Sequence, residues 1–162
     1  MDESFRPTLE EDPVPTTAKP PFPLRRLKNL GNTCYMNTVL QALFAVPEFM
    51  LRLKGKGGKI TKCLFGLFHV LYDESFDKVG NPTEVKKAID AKTELFRGSG
   101  QKDAHEFLTY LLDSIQMELE KEWKSSHPNE NPNAMPLFAT DEYFRVVLRE
   151  KVVCDTCGHC SR

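Results

Sequence analysis

Apolar residues recur every three or four positions in four stretches of the chain, which predicts four amphipathic helices. The first runs from Cys34 to Ala45, and Pro47 closes it because the residue before a proline disfavours helical backbone. The second is carried by apolar residues between Ile60 and Leu71. Each helix would bury one apolar face and leave the other in water.

The third and fourth helices carry additional signals. The segment Asn81-Pro82-Thr83-Glu84 is typical of a helix start, in which Asn81 caps, Pro82 takes the first position and Glu84 completes a capping box. The fourth helix keeps a period of about 3.6 residues from about Gln101 to Trp123 and is the strongest signal of secondary structure in the chain.

The remaining segments have the composition of loops and of one strand. Residues 51–59 place glycines among lysines, which predicts a mobile basic loop, and residues 125–136 are rich in proline and asparagine, which predicts a surface loop. Apolar and charged residues alternate from Phe144 to Val152, the pattern of a half-buried strand. This strand leads into a cysteine-rich segment at 154–160.

The first 23 residues hold six of the eleven prolines. Because proline lacks a backbone donor and restricts the chain, residues 1–23 are predicted to form a flexible or polyproline-like leader. The globular part is expected to begin near Leu24. The length of 162 residues suits one domain, or part of a larger one, over residues 24–162.

Charge and cysteine content exclude several classes of protein. The 22 basic and 23 acidic residues balance to a net charge of -1, whereas a nucleic-acid-binding protein would show a basic excess. No apolar run approaches the roughly 20 residues that span a bilayer, and no secretory signal follows Met1. Five cysteines, an odd number, suit a reducing compartment. An intracellular protein of the nucleus or cytosol, with no nucleic-acid or membrane partner, is therefore expected.

Cys34 is the first candidate for chemistry, because it follows a polar turn at the start of an apolar helix. Unpaired backbone N–H groups and the positive end of the helix dipole stabilise a thiolate there, and the same groups can donate to an oxyanion. On spacing alone, a buried structural cysteine is the commoner explanation, since free cysteines are among the most buried residues.

Two motifs resemble those of the ubiquitin-specific proteases. Residues 27–37 (LKNLGNTCYMN), followed by Val39-Leu40-Gln41, are similar to the cysteine box of that family. Residues 101–108 (QKDAHEFL) are similar to its second box. The resemblance runs from Leu24 to the end of the chain, and two further segments are similar to the subgroup that contains ubiquitin-specific peptidases twenty-six, twenty-nine and thirty-seven.

The resemblance implies an α+β, papain-like cysteine peptidase fold, here with the helical thumb and the start of the fingers sheet, ending before the palm histidine region. It implies that Cys34 is the nucleophile and that Asn29 stabilises the oxyanion. Asn32 is interpreted as a turn residue and Asn37 as a packing residue. The implied function is hydrolysis of the peptide or isopeptide bond after the C-terminal glycine of ubiquitin, with no cofactor for catalysis and with ubiquitin and ubiquitinated proteins as partners.

The second motif is implied to bind the C-terminal tail of ubiquitin, Leu-Arg-Leu-Arg-Gly-Gly, through Gln101, Asp103 and Glu106. Carboxylates suit the arginines of that tail. The alternative is that Asp103 only caps a helix, with Glu106 in a capping box, and the two roles are compatible. His105 is interpreted as structural, because the general base of the family is not in this motif.

A cysteine peptidase needs a histidine base, and no segment before Arg162 is similar to the histidine box of the family. His69, His127 and His159 lie in a predicted helix, a loop and the cysteine cluster. The chain is therefore expected to be an incomplete, N-terminal portion of a catalytic domain and to be inactive alone. A non-catalytic ubiquitin-binding or regulatory form is the alternative. A small zinc-stabilised interaction module has less support.

The cysteine cluster contains one metal-binding spacing, Cys154-x-x-Cys157, with Gly158 allowing a tight turn. The resemblance implies that this pair is half of a structural zinc site in the fingers, completed by a second pair further along. A local site that adds His159 and Cys160 is disfavoured, because adjacent residues crowd a tetrahedral ion. A finger without zinc is the alternative.

Overall fold

A computed structural model describes residues 26–72, 79–146, 152–153, 156–157 and 160–161. The predicted leader lies outside these residues. In chain order the elements are α1 (Cys34–Phe44), α2 (Pro47–Arg52), α3 (Lys59–Tyr72), α4 (Thr83–Asp90), α5 (Ala104–Ser126), a 3₁₀ helix (Pro132–Ala134), α6 (Ala139–Phe144), β1 (Val152–Val153) and β2 (Cys160–Ser161).

The four predicted helices are confirmed as α1, α3, α4 and α5, but two of them begin later than predicted. Helix α5 begins at Ala104, because Asp103 is its N-cap and accepts a hydrogen bond from the backbone N–H of Glu106 at 2.8 Å. Helix α4 begins at Thr83, whose N–H donates to the Asn81 side chain at 3.1 Å. The predicted capping role of Glu84 is wrong: its carboxylate pairs with Lys87 at 2.9 Å instead.

Two short helices, α2 and α6, were not predicted; they overlap the predicted basic loop only at residues 51–52 and the predicted strand only at Phe144. Pro47 occupies the first position of α2, where its missing N–H costs nothing, so it begins a helix as well as following one. Phe144 is the last residue of α6, so the prediction that a strand begins there is wrong. Residues 147–151 of the predicted strand lie outside the described residues, and Val152 belongs to β1, which pairs antiparallel with β2.

One hydrophobic core joins the helices, and α5 runs through it in contact with α1, α3 and α6. Each of the long helices turns one apolar face inward, as the 3.6-residue period requires. None of the described helices has the length and hydropathy that a bilayer crossing requires. The largest side chains with less than 2% exposure are Met36, Leu40, Phe49, Met50, Leu53, Ile60, Leu64, Ile89, Phe96, Phe107, Leu111 and Ile115.

The loop before α3, predicted to be mobile, is attached to α5 by two carboxylates. The backbone N–H of Gly57 donates to Glu122 at 2.7 Å, and that of Gly58 donates to Glu118 at 3.0 Å. An added Cβ at Gly58 would lie 2.7 Å from the Glu118 carboxylate carbon, so only glycine permits this approach. These bonds contradict a mobile loop at Gly57 and Gly58, and the mobility of the rest of the segment stays a prediction.

The Glu118 carboxylate is itself buried, with 7% of its side chain exposed. Its oxygens accept from the N–H of Ile60 at 3.2 Å, from the N–H and hydroxyl of Thr61 at 2.9 and 2.8 Å, and from Lys92 at 2.6 Å. Burial raises the pKa of Glu118, but the hydrogen bonds from Lys92, Thr61 and Ile60 outweigh it and hold that pKa below its usual value. Glu118 of α5 thus places a negative charge at the N-terminus of α3, where the helix dipole favours it.

The chain enters the first motif along a short parallel bridge between Leu27 and Gly80. The N–H of Lys28 donates to the Gly80 carbonyl, and the N–H of Gly80 donates to the Arg26 carbonyl, each at 2.8 Å. A Cβ at Gly80 would lie 2.6 Å from a methyl group of Leu71. This close approach fixes where the chain begins the turn that leads to Cys34.

Candidate active site

The turn before α1 is closed by the side chain of Asn29. Its Oδ1 accepts from the N–H of Gly31 at 3.0 Å and from the N–H and hydroxyl of Thr33 at 3.3 and 3.1 Å. Gly31 and Asn32 both have positive φ, +96° and +49°, a conformation that glycine and asparagine adopt more readily than other residues. These two residues reverse the chain and direct Cys34 to the start of the helix.

Cys34 is exposed and is the first residue of α1. Thr33 occupies the N-cap position, but its side chain does not cap the helix. Its hydroxyl instead accepts from the N–H of Leu30 at 3.0 Å and donates to Asn29. The first-turn N–H groups beside the Cys34 thiol are therefore left without a capping side chain and can donate to an anion.

Exposure separates Cys34 from the other described cysteine on a helix. Cys63, on α3, is half-buried, and burial raises the pKa of its thiol, since a thiolate is poorly solvated there. The alternative that Cys34 is a buried structural cysteine is contradicted by its exposure. Accessibility and an uncapped helix start are the environment that a reactive thiol needs.

The hydrogen bonds of Asn29 determine which end of its amide group closes the turn. The three bonds to its Oδ1 identify that atom as the oxygen, because only an acceptor can face two N–H groups. The Nδ2 group takes no part in these three bonds, and its predicted role as an oxyanion donor stays a prediction. A neutral amide donor can stabilise developing negative charge without neutralising a nearby thiolate.

The second motif forms the start of α5. Asp103 is the N-cap, so its capping role is confirmed, and Gln101 and Glu106 are exposed beside it. His105 is also exposed, and its carbonyl accepts from the Thr109 hydroxyl at 3.0 Å. The tail-binding role of Gln101, Asp103 and Glu106 stays a prediction.

The structure brings the two motifs together. The ring of Tyr35, next to Cys34, meets the ring of Phe107, next to Glu106, edge to face at 5.3 Å. The buried Phe96 ring contacts both, at 6.0 Å from Tyr35 and 5.2 Å from Phe107. The N-terminal ends of α1 and α5 therefore lie side by side, with the exposed thiol and the exposed carboxylates at the same end of the helix pair.

Two contacts of the first motif were not predictable from its spacing. The Asn32 amide donates to the Ser99 carbonyl at 2.5 Å, which connects the turn to the loop before α5. The Asn37 amide donates to the Lys28 carbonyl at 3.2 Å, in agreement with a local packing role. The buried Tyr35 hydroxyl and Asn37 Oδ1 have no hydrogen-bond partner within the described part of the chain. The only sequence signal for Asn32 was an asparagine directly after a turn glycine.

Of the other described histidines, His127 lies at the opposite end of α5 from the second motif. His127 follows the last residue of α5, where its ring stacks on Trp123 at 4.9 Å. Since α5 has 23 residues, it separates His127 from Asp103 by about 35 Å. His69 is exposed in the last turn of α3.

The predicted zinc half-site is not tested. Cys154 lies outside the described residues, and Cys157 is exposed. Over the ranges that the structure describes, no three or more His, Cys, Asp or Glu side chains are grouped to hold a metal ion. The zinc pair therefore stays a prediction.

Comparison with known proteins gives one family. The sequence profile described as "Ubiquitin carboxyl-terminal hydrolase" matches residues 25–161. Similar relatives include ubiquitin carboxyl-terminal hydrolase 37 of Gallus gallus, 36% identical over 90% of this chain, and hydrolase 26 of Homo sapiens, 35% identical over 82%. Hydrolase 29 of Homo sapiens is 34% identical over 81% of the chain. In each case the chain spans 17% of the length of the relative.

Proposed function

Because the chain belongs to the ubiquitin carboxyl-terminal hydrolase family, we propose that the whole protein removes ubiquitin from its conjugates with Cys34 as the nucleophile. The subgroup predicted from the sequence is confirmed, since relatives numbered 26, 29 and 37 match most of the chain. The observation that carries the proposal is the exposed thiol at an uncapped helix start, beside the second motif. A papain-like fold for the complete domain belongs to the same proposal.

The proposed reaction begins when the Cys34 thiolate attacks the carbonyl carbon of the terminal glycine of ubiquitin. A carbon–sulfur bond forms and the carbonyl electron pair moves to oxygen, where Asn29 Nδ2 and first-turn N–H groups of α1 donate to it. Collapse of this intermediate breaks the carbon–nitrogen bond, and the leaving amine takes a proton from a general acid. Water then hydrolyses the thioester, which releases ubiquitin and restores the thiol.

The ubiquitin tail is proposed to reach Cys34 across the start of α5. Asp103 uses its Oδ1 to cap the helix, which leaves Oδ2 to accept from an arginine of the tail. Glu106, exposed one turn further, and Gln101 are proposed to hold the same segment. Negative charge at this end suits a tail that carries two arginines.

The general base is proposed to be a histidine outside the described residues. His127 is separated from the second motif by the length of α5, and His69 lies at the end of α3. His105 is close in sequence to the tail-binding candidates, but the resemblance assigns the base to another segment. The prediction that residues 1–162 alone are inactive follows from this assignment and stays a prediction.

The test is hydrolysis of a ubiquitin C-terminal amide by the full-length protein. We expect Cys34→Ala to abolish turnover while ubiquitin binding is retained, and the matched variant Cys63→Ala to keep turnover within about twofold, because that thiol is half-buried. Turnover by Cys34→Ala at the wild-type rate would contradict the proposal. Reversible binding without turnover by the wild-type protein would favour the non-catalytic alternative.

A further inference from the structure

We propose that Asn32 is a positioning residue, which holds the loop before α5 in place relative to Cys34 and so aligns the ubiquitin tail with the thiol. The inference rests on the proposed function. It starts from the hydrogen bond between the Asn32 amide and the Ser99 carbonyl, which joins residues 67 positions apart. Asn32 lies two residues before the nucleophile, and Ser99 lies four residues before Asp103.

The loop is anchored at both ends by its own contacts. At its beginning the Arg97 side chain donates to the Asp90 carbonyl at 2.8 Å and to the Glu94 carboxylate at 2.9 Å. At its end Asp103 caps α5. The position of the middle, residues 98–102, is not determined by these two anchors.

Packing does not hold the middle of the loop. Added Cβ atoms at Gly98 and Gly100 would meet nothing within 4 Å, and Ser99 is exposed. Gly98 has φ +79°, so the chain turns sharply where it has no neighbours. With open space around both glycines, the bond from Asn32 is the contact that connects this part of the loop to the nucleophile turn.

The residue type at position 32 supports this role. Its φ of +49° would be adopted at least as easily by glycine, so the backbone alone does not explain an asparagine. Asparagine tolerates the conformation and adds a side-chain donor. One of its two amide N–H groups donates to the Ser99 carbonyl, and through this bond Asn32 acts on the position of the loop.

The bond is exposed, so it contributes little to stability, whereas alignment of a reacting group is sensitive to displacements of about 1 Å. Loss of the bond should therefore slow reactions in which the ubiquitin tail must be aligned and leave reactions of small thiol reagents unchanged. This difference separates a positioning role from a structural one.

The experiment compares two rates in the full-length protein: capture by ubiquitin with a thiol-reactive C-terminus, and alkylation of Cys34 by iodoacetamide. We expect Asn32→Gly, which keeps the backbone conformation, and Asn32→Asp, which keeps the shape without the donor, to slow capture by about tenfold. Alkylation should stay within about twofold of wild type. Ser99→Ala is the matched control, because only its backbone carbonyl accepts the bond, and it should react as wild type.

Capture of both Asn32 variants at the wild-type rate would overturn the inference and leave the proposed function intact. Equal slowing of capture and alkylation, with a lower melting temperature, would show a structural role and would also overturn it. If ubiquitin with a thiol-reactive C-terminus fails to capture the wild-type protein, the proposed function is refuted. The inference, which rests on that function, is then refuted as well.

Discussion

The environment of Cys34 follows from hydrogen bonds that neighbouring residues form with one another. Thr33 has the residue type and position to cap α1, yet its hydroxyl is used by Leu30 and Asn29. The cap is therefore missing where a thiolate and an oxyanion would need free N–H groups. The same bonds use only the oxygen of the Asn29 amide, so its nitrogen is not needed to close the turn.

Replacement of Asn29 can separate its two roles. Asn29→Asp keeps an oxygen that accepts from Gly31 and Thr33 but removes the amide donor and adds negative charge. We expect kcat for a ubiquitin amide to fall by about 10²–10³, the usual cost of losing one oxyanion donor, with a small change in melting temperature. Retention of wild-type kcat by Asn29→Asp, measured beside Asn29→Ala, would show that Asn29 only closes the turn.

At the scale of elements, α3 and α5 are joined by a carboxylate rather than by apolar contacts alone. Glu118 places its charge at the first N–H groups of α3, where the helix dipole is positive, and Lys92 balances it. Because Glu118 is buried, loss of its donors would leave an uncompensated buried charge. The same carboxylate accepts from Gly58, at the end of the loop before α3.

This carboxylate predicts a pH dependence of stability. The pKa of Glu118 is lowered in the folded state, whereas an unfolded Glu titrates near about 4.3. Its contribution is therefore fully present above about pH 4.3 and is lost as the pH falls through the folded pKa. We expect Glu118→Gln to lower the free energy of unfolding by about 2–3 kcal/mol at pH 7, with the deficit shrinking below about pH 4.

Denaturant unfolding of the wild type and the variant at pH 7 and pH 3.5 measures this difference. Glu84→Gln is the matched control, because Glu84 forms an exposed pair with Lys87 and should change the free energy of unfolding by less than about 0.5 kcal/mol. A deficit for Glu118→Gln that is equal at both pH values would contradict the assigned ionisation.

The elements that the sequence predicted are those with a sustained period. Helices α1, α3, α4 and α5 each repeat apolar positions over two turns or more, whereas α2 and α6 have six residues each and show no period. Pro47 and Phe144 were therefore interpreted as the end of a helix and the start of a strand. The local sequence pattern also gives no indication that Glu118 contacts Gly58 and Thr61, which are 60 and 57 positions away.

In the candidate site, too, some features were predicted from the sequence and others were not. Cys34, Asn29 and Asp103 were predicted from the resemblance to a family, which two contiguous motifs carry; on spacing alone a structural cysteine was the favoured interpretation of Cys34. The hydrogen bond between Asn32 and Ser99 was not predicted, because it depends on how α1 and α5 pack around Tyr35, Phe96 and Phe107.

In the molecule as a whole, the described helices place both motifs at one end of the pair α1 and α5. The chain spans 17% of its curated relatives, and several apolar side chains of the described residues are exposed. Tyr143, Phe144 and Val146 are neighbours in this group, at the end of α6. Apolar residues grouped in this way favour contact with further protein.

The cysteine cluster gives a prediction for the full-length protein. We expect about one zinc per chain, lost on Cys154→Ser, because a structural zinc site needs all four ligands. Cys160→Ser should keep the zinc, since Cys160 is not expected to be a ligand. Elemental analysis of the purified protein measures the content; no zinc in the wild type, or loss of zinc on Cys160→Ser, would contradict the predicted pair.

The attack of the Cys34 thiolate on the C-terminal carbonyl of ubiquitin is the main step proposed for this protein. Its most direct test is peptide mapping by mass spectrometry of the full-length protein after reaction with ubiquitin that carries a thiol-reactive C-terminus. We expect one adduct, on the peptide that contains Cys34, and none in Cys34→Ala, since Cys63 is half-buried and lies on another helix. An adduct on Cys63 or Cys157, or undiminished capture of Cys34→Ala, would contradict the proposed attack.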